Sequence, residues 1–149
     1  MNSQQGEPQA ISAARFVVSF DGAAPTYFSE LSGITSEVEA TEYIAANART
    51  GAIVHTKQFG KTKPPTVTLK RGVDGTAFLL AWHAAARAGR PDARKTGTLE
   101  LQNAAGLPQA RYRLLGAWPS KVEIGNLKAG ASEIVMENVT FTCEEVIPI

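Results

Sequence analysis

The chain reads as a mainly β protein with one helix, and three patterns say so. Apolar and polar residues alternate along RFVVSF (15–20), placing Phe16, Val18 and Phe20 on one face of a strand. Two strand-like runs, 96–101 and 110–115, flank the turn Asn103, Ala104, Ala105, Gly106 and read as a hairpin. One stretch alone, 75–88, carries apolar residues at three-to-four spacing: Phe78, Leu79, Trp82, Ala85 and Ala86.

In order along the chain, residues 1–12 read as a loose arm and 13–149 as a single domain. After the first strand, Asp21, Gly22 and Pro25 mark a turn. Residues 27–44 read as one long or bent strand, with Ser36, Val38 and Ala40 on one side and Glu37, Glu39 and Thr41 on the other. Gly33 within it predicts a kink or bulge. Residues 47–63 have no clean period and end at Pro64 and Pro65, which predicts an extended loop or an exposed hairpin. A segment of that length in a compact domain serves function or a partner. A short strand, 66–70, follows. The helix of 75–88 takes Asp74 as its N-cap, Arg87 in its last turn and Gly89 just beyond its end. Trp118 and Pro119 mark a strand edge or a corner, because proline cannot donate to a central ladder. Residues 125–131 read as a loop and 133–146 as the final strand.

That final strand has apolar residues at both parities: Ile134 and Met136 on one, Val135, Val139, Phe141 and Cys143 on the other. Either a bulge near Asn138 switches the face, or both faces are covered. Glu137 shares parity with the apolar set and needs a cation if buried; Arg111 and Arg113 on the preceding strand are the candidates.

Length and composition bound the rest. A chain of 149 residues buries about two-thirds of its unfolded surface without a disulfide or metal. At 44% hydrophobic and 19% charged it suits a globular protein whose low charge density is compatible with surface covered by partners. No apolar run approaches the ~18 residues of a membrane span, so no membrane anchor is expected. The polar start, 1–9, lacks the features of a secretory signal, and Cys143 has no internal disulfide partner. Both lead to an expectation of assembly in a reducing cytoplasm.

The net charge is +1, but the charges are segregated. Arg49, Lys57, Lys61, Lys63, Lys70 and Arg71 lie in a stretch without acids. Glu30, Glu37, Glu39 and Glu42 lie in one without bases, and Glu133, Glu137, Glu144 and Glu145 close the chain. Either neighbouring strands pair these charges internally, or one face of a subunit meets the opposite face of the next.

No group of residues supports catalysis, and no cofactor is expected. Phe59, Gly60, Lys61 and Thr62 resemble the end of a phosphate loop, but His55 stands where its first glycine belongs and Pro64–Pro65 block the helix that must follow. His55, His83 and Cys143 lack metal-ligand spacing, so no metal is expected. Cys143 sits on an apolar face that raises a thiol pKa and makes it inert. Basic residues near Phe59 and Tyr43 leave a second class of function open, a single-strand nucleic-acid-binding β-barrel.

An ordered series of segments resembles contractile phage tail-tube proteins: RFVVSFDG (15–22), YFSELSGI (27–34), TLKRG (68–72), LAW (80–82), AWPSK (117–121) and EIVME (133–137). The alanine-rich 42–49 departs from that family, which has a glycine-containing Arg/Glu segment there. The resemblance implies an antiparallel two-sheet sandwich or barrel with one flanking helix. It implies a structural subunit whose hexameric rings stack into a tube around a lumen, inside a contractile sheath that propels the tube. Baseplate, spike-hub and terminator proteins would be further partners, with protein or DNA cargo in the lumen; a baseplate-proximal initiator of the same fold is the alternative. Within that frame, Arg49, Lys57, Lys61 and Lys63 are expected to contact adjacent subunits or rings, with Glu37, Glu39 and Glu144 as complements or lumen-facing groups. His83 and Arg87 on the helix are expected to face the sheath. Reversing Lys61 and Lys63 to Glu is then expected to stop tube growth.

Overall fold

The computed structural model describes residues 10–46, 53–74, 76–125, 130 and 134–149. Eight strands form one antiparallel array: β1 (Arg15–Phe20), β2 (Thr26–Phe28), β3 (Glu30–Ala46), β4 (Ile53–Gly72), β5 (Lys95–Gln102), β6 (Pro108–Ile124), β7 (Met136–Thr142) and β8 (Glu145–Pro148). A helix, α1 (Phe78–Arg87), and a 3-10 turn (Pro91–Ala93) lie between β4 and β5. The strand order is β2-β1-β5-β6-β7-β4-β3, with β8 also on β6.

The chain passes between two layers four times, once through α1 between β4 and β5 and three times through short segments. β6 pairs β5 and β8 through its first half, up to Ala117, and β7 from Trp118 to Ile124. β2 hands over to β3 at Ser29, whose N–H donates to the Lys70 carbonyl at 2.9 Å. β7 hands over to β8 at Cys143 and Glu144. Pro119 is thus at a corner, as its chemistry requires, and a register shift between Pro119 and Lys121 absorbs the bend.

The core lies between the layers. Val67 and Leu69 of β4, Leu99 of β5, Leu114 of β6, and Val139 and Phe141 of β7 are fully buried at alternate positions. Trp82 packs against Phe20 and Phe141 with ring centroids 4.6 and 5.5 Å away, so α1 touches both layers. Its indole N–H donates to the Ala93 carbonyl at 2.6 Å, which satisfies the buried polar edge.

Several expectations are met. β5 and β6 form the predicted hairpin, and Asn103 builds its turn by accepting from the N–H groups of Ala105 and Leu107. A register shift falls between Leu31 and Gly33. Gly89, at φ 73, follows the helix.

Others are corrected. The helix starts at Phe78 with Ala77 as its cap; Asp74 instead accepts from the N–H and hydroxyl of Thr76, which uses up its carboxylate one turn early. Of the two readings of 47–63, extended loop or exposed hairpin, the described part takes the second: 53–63 belong to β4, a 20-residue strand paired with β3, whose later part is the predicted 66–70 strand. Residues 27–44 contain two strands rather than one. The final strand is also two. The register of β7 on β4 runs unbroken through Asn138, so there is no bulge there, and the break comes at Cys143 and Glu144. Ile134 is 74% exposed. Glu137 pairs with Arg71, its register partner on β4, and not with Arg111 or Arg113: Arg71 Nε donates to Glu137 Oε1 at 2.9 Å. Residues 1–9, Arg49, Gly75, Glu133 and most of the predicted 125–131 loop lie outside the described residues.

Candidate functional site

The long hairpin of β3 and β4 divides into two parts. Its base belongs to the core, where Leu31 and Ile34 pack inward beside Val67 and Leu69. From Thr35 on β3 and back to Pro64 on β4, nearly every described side chain is exposed. This outer part is a two-stranded arm.

The arm holds its charges to itself. Lys63 Nζ lies 3.5 Å from Glu37 and 3.9 Å from Glu39, Lys57 lies 3.5 Å from Glu42, and at the base Lys70 lies 3.9 Å from Glu30. The acidic and basic stretches are therefore the two strands of one hairpin, in antiparallel register. Of the predicted contact residues, Lys57, Lys63, Glu37 and Glu39 are brought together within the chain. Lys61 has no ionic partner among the described residues. Each of these exposed pairs contributes about 0–1 kcal/mol.

Glu144 lies elsewhere, at the handover to β8. Its Oε1 accepts from Arg94 at 2.8 Å, and the Arg94 guanidinium lies 4.8 Å from the centre of the Trp118 ring. A Cβ on Gly116 would come within 2.6 Å of the Glu144 carboxyl carbon, so this close approach needs glycine. On the helix, Arg87 is exposed, whereas His83 is half-buried with Nδ1 2.7 Å from the Pro119 carbonyl. Because that carbonyl only accepts, Nδ1 carries the proton.

What the charge pattern did not point to is the apolar content of the arm. Phe59 is 97% exposed and Val38 51% exposed. Both lie on one face of the hairpin, because Phe59 pairs with Ala40 and Val38 with Thr62. A register shift between Val38 and Ala40 lets the two strands present them together, and it needs Gly60: a Cβ there would come within 2.8 Å of the Glu39 carbonyl oxygen. In the sequence Phe59 belonged to a failed phosphate-loop match and, with Tyr43, to the nucleic-acid-binding alternative.

Two strand edges are also open. Among the described residues, β3 pairs only with β4, and β6 from Trp118 to Ile124 pairs only with β7. These are the two lateral edges of one layer, β3-β4-β7-β6. Its outer face is rich in hydroxyls that bond to one another: Thr68 and Thr140 at 3.2 Å, and Thr142 to Ser120 at 2.7 Å.

A cleft of about 670 Å³ opens beside the β1–β2 turn, between Arg15, Pro25, Tyr27, Phe28 and Phe78. Arg71 reaches it from β4, held between the buried Glu137 at 2.9 Å and the half-exposed Asp74 at 3.3 Å. The hydrogen bonds from Thr76, joined by the Arg71 charge, hold the Asp74 carboxyl below its ordinary pKa. Burial pushes the Cys143 thiol up to about 11, which agrees with an inert core thiol. Among the described residues, no three metal-ligating side chains converge and no helix is long and apolar enough to cross a membrane.

Comparison with known proteins fits this architecture. A family model described as T4-like virus tail tube protein gp19 matches residues 12–147. A chain of the sheath–tube complex of an extracellular contractile injection system, PVC, in its extended state superposes with TM-score 0.73 at 23% identity, covering 100% of this chain and 98% of that one. A chain of the anti-feeding prophage baseplate gives 0.69 at 17% identity, covering 96% and 97%. Hcp1 from Flavobacterium johnsoniae gives 0.52 at 10% identity, covering 89% and 93%. No curated protein matches the chain.

Proposed function

We infer that this chain, which belongs to the T4-like virus tail tube protein family, acts by assembling into rings that stack as the inner tube of a contractile injection system. The observation that carries the reading is the four-stranded layer with both lateral edges open. Unpaired edges template further pairing unless something covers them. In a ring, β3 of one subunit lies beside residues 118–124 of β6 in the next, so each copy covers its neighbour's edge. This contact is heterologous, and a rotation that closes gives a ring. Six subunits per ring is the number that the family resemblance supports.

The hydroxyl-rich outer face of that layer then lines the lumen. Its charged residues are paired within the subunit, Lys70 with Glu30 and Lys121 with Glu123, which leaves a wall that does not hold a passing cargo by charge. The helix belongs to the outside, where Arg87 and the 39% exposed Leu80 are available to a sheath. His83 serves the subunit's own corner through Pro119. Baseplate and terminator proteins would cap the ends, and the structural role leaves no step for a catalytic group.

Negative-stain electron microscopy of the purified protein, with its mass in solution, tests the reading. Annular hexamers or stacked hollow tubes are the expected result. A monomer that neither forms rings at high concentration nor extends a tube on a baseplate template would overturn it.

A further inference from the structure

We propose that Phe59, midway along one subunit's arm, docks into the Tyr27–Phe78 cleft of a second copy of this chain, and that this apolar contact, rather than the arm's paired charges, joins successive copies along the tube. The proposal rests on the tube-subunit reading and names the residues of one of its interfaces.

Three observations carry it. An aromatic ring at 97% exposure, beside a half-exposed valine on the same face, is an apolar anchor without a partner among the described residues. The paired charges of the arm are not the anchor, because Lys57 and Lys63 already lie against Glu42 and Glu37 of the same hairpin. The cleft supplies the complementary chemistry: it is lined by Pro25, Tyr27, Phe28 and Phe78, with the Arg15 guanidinium 5.4 Å from the centre of the Tyr27 ring. An entering phenyl ring meets aromatic faces and a cation that favours them.

Geometry makes the contact intermolecular. Phe59 and Arg71, which lines the cleft, lie twelve residues apart on the same strand, so anchor and socket are separated by about 40 Å at ~3.3 Å per residue. Complementary features that far apart along one strand join head to tail and propagate without closing on themselves. The unpaired charges agree with this direction. Lys61, two residues from Phe59, has no ionic partner among the described residues. Asp21, two residues before the cleft-lining Ala23, has none either. Docking brings base and acid together at the rim.

The test uses two single substitutions of surface residues, Thr62→Cys, which lies on the same face as Phe59 and leaves that ring in place, and Ala24→Cys, with the buried Cys143 unchanged. The two purified proteins are mixed, allowed to assemble, oxidised and run without reductant. A heterodimer that forms only in the mixture, with Phe59→Ala cutting assembly at least tenfold and Phe59→Leu largely restoring it, is the expected result. Lys61→Glu should weaken assembly several-fold, and Asp21→Lys in the same chain should restore it. Tubes that form normally while yielding no 62–24 heterodimer would overturn the docking and leave the tube reading standing. A 62–24 heterodimer without rings or tubes would keep the docking and remove the tube reading. Cross-links only between two copies of residue 62 would show the arms meeting each other and end the proposal.

Discussion

The two halves of β4 have the same backbone and opposite surroundings. From Pro65 to Leu69 every second side chain is buried, and Val67 and Leu69 touch no solvent. From Lys57 to Pro64 nearly everything is exposed, and the largest apolar side chain there is the most exposed of all. A strand is stabilised by what covers its faces. In the body that cover comes from the opposite layer and α1. In the arm the single chain supplies none beyond the pairing of β3 with β4 and its exposed ion pairs. An aromatic side chain in each half therefore reports on different physics, one on folding and the other on association.

The sharpest way to break this contrast is to truncate both. Phe141→Ala removes a fully buried ring that touches Phe20 and Trp82, and should lower the unfolding free energy by about 3–5 kcal/mol in urea. Phe59→Ala should leave it within about 0.5 kcal/mol. Equal losses would mean that the arm is part of the core's cooperative unit. Ion pairs give a second contrast of nearly the same size. Arg71→Ala strands Glu137, which is 2% exposed, and should cost about 3–5 kcal/mol by the same urea titration. Replacing both, as Arg71→Met with Glu137→Leu, should recover most of that loss.

Glycines give the third. Gly97→Ala places a Cβ 2.5 Å from both the Ser19 carbonyl oxygen and Phe20 Cδ1, and should destabilise by about 1–3 kcal/mol in thermal unfolding. Gly60→Ala, in the arm, should leave the midpoint nearly unchanged and instead reduce assembly, because it disturbs the shift that presents Phe59. Titration of Cys143 gives a smaller, signed effect. Its thiol is raised from 9.0 to about 11 in the folded chain, so the unfolded thiol ionises first. Stability is complete below pH 9 and falls as pH rises from there toward 11. Urea midpoints at pH 8 and 10.5 should differ more for the parent than for Cys143→Ala. Smallest of all, Lys63→Ala should change stability by about 0–1 kcal/mol, because its pairs with Glu37 and Glu39 are half-exposed.

What the sequence made legible follows the same division. The hairpin of β5 and β6, the first strand, the helix stripe and the corner at Pro119 were readable because burial imposes a period or a proline imposes a bend. The arm was not. With both faces exposed there is no alternation for burial to write, so for residues 57–63 the sequence could not decide between an extended loop and the exposed hairpin that forms. Charge segregation was correctly seen, yet only the antiparallel register of β3 on β4 decides between pairing within the chain and pairing between copies. Glu137 was expected to be buried and paired, but its partner came from β4, because β7 inserts between β4 and β6 and the sequence does not announce that order. Phe59 carried one usable signal, an aromatic residue in a segment with no core period, and the phosphate-loop likeness drew attention away from it.

Besides the longer connection through α1, three short segments of backbone change layer in this fold: Ser29 between β2 and β3, residues 118–121 within β6, and Cys143 with Glu144 between β7 and β8. Side-chain packing alone lets two layers slip past each other under load, since dispersion contacts re-form after a small slide. Here any slip must lengthen covalent chain at three short crossings. In the proposed tube, thrust on one layer of the subunit would be carried to the other through peptide bonds, and the unit would respond as one stiff block.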